Sequence, residues 1–226
     1  MPFSRPSEVL RRLEPETLTG ALVGLGMAFG AAPIPDADIE ATLVQASEVG
    51  MDAGDLRVLG VLTTWMGVHR ARVNVDRLAR FLRDHPSIRV RAYWCAVAQW
   101  QAKDRRFGLL AKVCPTTAVA LLPVGNDFQI ARRGEDERFS GTCLQVPKGA
   151  LRDRPADVLD PVRLTERHAG YRNRVRMGPT WRADVWSVLE QAPGLAVADV
   201  ARRAGCSFAT AWQVAQDFRL WRQAGG

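Results

Sequence analysis

The sequence predicts a mainly α-helical protein: an N-terminal helical domain, a small central β-hairpin and a C-terminal unit of three short helices. From Ser7 to Arg106 apolar residues recur at intervals of three and four with no sustained alternation, which is the period of a helix with one buried face. Between Leu109 and Val146 the texture changes to short apolar runs around glycine-containing turns. From Trp181 onward, Pro193-Gly194 and Gly205-Cys206 cut a third helical stretch into three pieces.

Taken in order, roughly five or six helices are expected in the first part. The best defined run from Asp38 to Val49, Asp55 to Val68, Val75 to Asp84 and Arg89 to Lys103. Asp36 or Asp38 and Asn74 are the predicted N-caps, because a short polar side chain accepts from the free amides of a first turn. Gly50 and His85-Pro86 are the predicted stops. The uncharged stretch Leu18 to Ile34 is short for a membrane span and ends at the Pro33/Pro35 pair, so a buried helix is expected. Glu8, Glu14 and Glu16 sit where an export signal is purely basic, so an uncleaved cytoplasmic chain is expected. Gly24, Gly26 and Gly30 lack the preceding strand of a nucleotide-binding loop and read as close packing. Trp65, Trp94 and Trp100 lie within helical repeats and read as core anchors.

In the middle of the chain, Val119 to Val124 is a short apolar run, and Phe128 to Arg132 and Phe139 to Val146 flank the turn Gly134 to Glu137, which predicts a hairpin. Leu151 to Leu164, with two prolines and Asp153, Asp157 and Asp160, reads as a strap over the surface. The expected domains are 1–108 for partner binding or self-association, 109–160 for the hairpin and linker, and 161–226 for the C-terminal unit.

A chain of 226 residues with 47% apolar and 24% charged residues can bury a core without a metal or disulfide. Cys95, Cys114, Cys143 and Cys206 show no knuckle or redox spacing, and His69, His85 and His168 complete no ligand cluster. Four reduced thiols, no metal and no cofactor are therefore expected. The formal charge is +7, with a pI near 9.9. Residues 1–110 hold 14 Lys/Arg against 12 Asp/Glu, and residues 161–226 hold 10 against 5. An anionic partner meeting the last third is the expectation, since polyanions attract basic surfaces over long range.

The last segment divides into Trp181 to Gln191, Val197 to Ala204 and Ser207 to Trp221. Ala201 is small where two helices cross, Gly205 is able to take a left-handed turn, and Val200, Ala204, Cys206, Ala211 and Val214 form a buried set. The stretch "LAVADVARRAGCSFATAWQVAQDF" (195–218) resembles the helix-turn-helix superfamily of DNA-binding domains; with its flanks, about 181–221, the resemblance covers about a fifth of the chain. It implies that Ser207 caps a helix whose N-terminal residues enter the major groove of double-stranded DNA. Ser207, Phe208, Ala209, Thr210, Trp212, Gln213 and Gln216 would be outward residues, with Gln213 and Gln216 able to read adenine and Thr210 or Ala209 able to touch a thymine methyl. Arg202, Arg203, Arg219 and Arg222, and some of Arg172, Arg174, Arg176 and Arg182, would hold phosphates. The reading helix carries no Lys or Arg before Arg219 and presents Phe208 and Trp212 instead. With little sequence after Trp221, any β-wing would have to come from the 128–146 hairpin.

The run "RLTERHAGYRNRVRMGPTWR" adds Arg163 and Arg167, with Tyr171 interleaved as a stacking platform or the whole as a solvated helix face. His69 beside Arg70 and Arg72, and Asp104 beside Arg105 and Arg106, form no catalytic constellation and read as solvated charges at helix ends. No enzyme is expected. The function implied is a DNA-binding transcriptional regulator, with a homodimer or a protein partner formed through the N-terminal helices and no membrane. The alternative is an antitoxin-like or phage-defence subunit whose helix-turn-helix makes protein contacts.

Overall fold

The computed structural model describes residues 12–225. Ser7 and Glu8 lie outside the described residues. Within them the chain is mainly helical, as expected, and no helix is long and apolar enough to cross a membrane.

Helix α1 (Pro15–Gly24) begins on a proline, whose missing amide costs nothing in a first turn. The uncharged stretch does not continue as one helix. After Gly24 the chain folds back along α1, with Ile34 N donating to Gly20 O at 2.9 Å. A Cβ on Gly24 would stand 2.0 Å from Ile34 O, so Gly24 serves close backbone packing. Nothing approaches Gly30, where that reading fails.

Helices α2 (Ile39–Met51), α3 (Leu56–His69), α4 (Val75–Arg83) and α5 (Ile88–Trp100) follow within three residues of expectation. Asp38, Asp55, Asn74 and Ser87 cap them through side-chain oxygens. Asp36 is not a cap; it sits at φ +51° and accepts from the amide of Ala169. Helix α2 packs against α1, α3, α4 and α5 and so lies at the centre of the first core. Trp65 and Trp94 are fully buried there, their indole N–H groups donating to Leu25 O and Ser47 Oγ at 2.9 Å. Trp100 packs at its edge.

A 3₁₀ segment, Arg105–Val113, covers α4 and α5, and Cys114 at its end is disulfide-bonded to Cys95 of α5. This corrects the expectation of four reduced thiols. The two cysteines lie 19 apart in sequence with no recognisable spacing, and only the fold of this segment over α5 brings them together.

The predicted hairpin is also corrected. Phe128 to Arg132 lies inside a helix, α6 (Asn126–Arg133), and the two short strands β1 (Val119–Ala120) and β2 (Leu144–Gln145) pair in parallel across it. Parallel strands need a crossover rather than a two-residue turn, and α6 is that crossover. No wing comes from 128–146.

The stretch after β2 is a strap, as read. Arg154 N donates to Thr64 Oγ1 of α3, and Val158 forms an antiparallel bridge with Met27. Helices α7 (Pro161–Arg167) and α8 (Ala169–Met177) follow, and their Leu164 and Tyr171 complete the first core. Helices α9 (Trp181–Gln191), α10 (Val197–Ala204) and α11 (Phe208–Gln223) pack on one another around a second core.

Candidate nucleic-acid interface

The geometry of the C-terminal unit begins with its turn. Gly205 sits at φ +68°, and Cys206 N and Gly205 N donate back to Ala201 O and Arg202 O, which ends α10 in a left-handed cap. Two residues later Ser207 Oγ accepts from Thr210 N at 3.1 Å and starts α11. Val185, Leu189, Val200, Ala204, Ala211, Val214 and Phe218 close the core beneath, and Ala201 is buried with them. Trp186, Phe218 and Trp221 form a ring cluster with centroids 5.1 to 6.1 Å apart.

This leaves the first half of α11 in solvent. Phe208, Ala209, Trp212 and Gln213 are exposed, Phe208 at 58% and Trp212 at 47%. Ser207, Thr210 and Gln216 are half-buried, and the Ser207 and Thr210 hydroxyls bond each other at 2.8 Å.

The arginines separate into three groups. Arg174, named from the sequence as a phosphate contact, is corrected: it is 2% exposed, holds Glu40 with both terminal nitrogens and donates from Nε to Asp184. Burial alone would lower its pKa, but Asp184 and Glu40 outweigh that and raise it, so it is a fixed interior cation. Arg182 pairs with Asp217, Arg202 with Asp199, and Arg219 bonds Gln216, all at the surface. Arg172, Arg176, Arg203 and Arg222 have no side-chain partner among the described residues, and the last three are exposed. Tyr171 is no stacking platform, since it is buried with its hydroxyl on His69 Nδ1.

Sequence reasoning missed the seam that holds this unit to the first core. Asp184 of α9 accepts from Asn74 Nδ2 at 2.8 Å and from Arg174. Glu40 of α2, fully buried, accepts from the Asn74 amide as well as from Arg174. Burial holds the Glu40 carboxyl above the usual range despite the Arg174 charge. Arg80 of α4 donates to Gly205 O at 2.8 Å and lies 4.3 Å from the Trp181 ring centroid. The signal available was an acid on an otherwise apolar helix face, at Glu40, and another in the first turn of α9.

Comparison of the chain with protein-family models, with curated proteins and with solved structures returns no match. No His/Cys/Asp/Glu group among the described residues has the geometry to hold a metal ion.

Proposed function

We propose that the protein binds double-stranded DNA through α10 and α11 and acts as a transcriptional regulator. The observation that carries the reading is the exposed start of α11 behind its Ser207 cap and Gly205 turn, beside the unpartnered Arg203. In this reading α11 enters the major groove with Gln213 at base edges, while Arg203, Arg176 and Arg222 supply phosphate contacts. A homodimer would present two such helices to two half-sites. The role is binding, without catalysis and without a cofactor.

Titration of random duplex DNA against salt tests the proposal. Each phosphate contact adds about 0.9 to the log–log slope, so a slope of several is expected, reduced by about 1 in Arg203→Ala. Gln213→Ala should change sequence preference and leave the slope alone. A slope near zero would overturn the reading.

The exposure of Phe208 and Trp212 favours a second reading, a protein-binding α11 in an antitoxin-like or phage-defence subunit, because unpaired aromatics are the usual anchors of protein interfaces. Under it, Phe208→Ala and Trp212→Ala abolish capture of the partner at any salt.

A further inference from the structure

The seam between the two cores holds a half-open cleft of about 210 Å³. Its inner wall is made by Arg77, Arg174 and Asp184, whose charges are already committed: Arg77 to Asp38, and Arg174 to Glu40 and Asp184. Two charges on its lining are committed differently. Arg203 reaches it from α10 and has neither ion pair nor side-chain hydrogen bond among the described residues. Asp36 reaches it from the segment before α2, with Oδ1 accepting from Ala169 N and lying 3.6 Å from His168 Nδ1, while Oδ2 has no hydrogen-bond partner among the described residues.

We propose that this cleft binds a small zwitterion of amino-acid size, its ammonium on Asp36 and its carboxylate on Arg203. Size sets the scale: the walls of a cleft of about 210 Å³ surround a ligand of amino-acid size, and anything much larger would extend into solvent. Charge sets the class. An apolar guest would strip water from both Asp36 and Arg203 and give nothing back. A lone anion would meet Arg203 but face Asp36, and a lone cation would meet Asp36 but face Arg203. Only a ligand with both signs satisfies both walls, and it would bridge α10 to the segment that enters α2.

The proposal does not rest on the DNA reading, although both use Arg203, and calorimetry without DNA tests it alone. The full chain is titrated with L-glutamine and with 5-aminovalerate, two zwitterions of different charge spacing, and with methylammonium and acetate singly. Saturable 1:1 binding of at least one zwitterion, absent for the single ions, is expected. Asp36→Asn and Arg203→Ala should each weaken it by about tenfold or more, the usual scale for one charged hydrogen bond. Both variants should keep the fold. Asn accepts the left-handed backbone at this position (φ +51°) and retains an oxygen for Ala169 N, and Arg203 is solvent-exposed. Melting temperatures of the unliganded variants check this. No binding of either zwitterion at about 10 mM, well above a millimolar Kd, would overturn the proposal. So would binding of equal strength in both variants.

Discussion

His69 shows how one side chain can join distant segments while staying uncharged. It is 1% exposed, donating from Nε2 to Leu159 O of the strap and accepting at Nδ1 from the Tyr171 hydroxyl of α8. The sequence reading made it a solvated helix end; the structure corrects this, because α3 carries the ring under the strap. Burial is the main cause that lowers its pKa to about 4, against 6.5 for a free histidine. The folded state therefore binds fewer protons than the unfolded one between those values. Its stabilisation is complete above pH 6.5 and is lost as pH falls through 4. The full effect is on the order of 3 kcal/mol. His168, also buried and shifted down, acts in the same direction. Urea unfolding should give a steep loss of stability from pH 7 to pH 4.5, and His69→Gln should be weaker at pH 7 and flatter with pH. A wild-type profile that is level over this range would contradict the protonation state assigned here. The Glu40–Arg174 pair makes a second prediction. Removing one partner strands the other without water, so Arg174→Met should cost about 3–5 kcal/mol in unfolding free energy. Such residues were the least legible in the sequence. Periodicity reports which positions are buried, but whether a buried charge meets its partner depends on contacts more than a hundred residues away, as Glu40 meets Arg174.

At the scale of elements, the legible ones were those whose ends carry their own chemistry. Asp38, Asn74, Ser207 and Gly205 each marked a boundary that the structure repeats, since caps act within one turn. The 128–132 stretch was misread because Phe128 and Ile130 alternate with polar residues over too few positions to fix a period. Helix wins there through Gln129, Ala131, Arg132 and Arg133, all good helix formers. Gly125 and Gly134 bound it at positive φ. The tests at this scale are local. Gly205→Ala must hold a left-handed backbone at a cost of about 1–2 kcal/mol, and Ser207→Ala loses a cap worth about 1 kcal/mol. Both should lower the melting temperature and increase amide exchange in α10 and α11 more than in α2. For the Cys95–Cys114 bond, a 19-residue separation corresponds to about 3 kcal/mol of chain entropy. Reduction under non-denaturing conditions should therefore lower the melting temperature, and a Cys114→Ser variant should already sit at the reduced value. Identical oxidised and reduced melts would show that the bond adds no stability.

Over the whole molecule, two cores share one polar seam, and the C-terminal unit does not hang on a linker. Asn74, Glu40, Arg174 and Asp184 join α2, α4, α8 and α9 in a single buried network. Unfolding followed by tryptophan fluorescence and by helical circular dichroism should therefore give coincident transitions, whereas Asp184→Ala should split them by releasing the C-terminal unit early. Arg203 takes part in both proposals, as a phosphate contact and as the carboxylate anchor of the cleft. A bound zwitterion should thus weaken DNA binding severalfold and lower the salt slope by about 1, and the weakening should vanish in Arg203→Ala. The three C-terminal helices were legible in the sequence, whereas the seam showed only as isolated acids at Glu40 and Asp184, which do not stand out as a network until the two walls face each other.

The grip of Arg80 on the Gly205 carbonyl has a mechanical consequence. A hinge that is clamped from outside turns a flexible finger into a fixed calliper. If two copies join through their N-terminal helices, the gap between the two α11 helices is then set by the body of the protein and not by the DNA they meet. Such a pair would measure distance along a duplex as well as read it. Half-sites one helical turn apart would be held, and the same half-sites moved by half a turn would be refused. Arg80→Ala would loosen the jaws, and binding to misspaced sites should rise relative to the correct one.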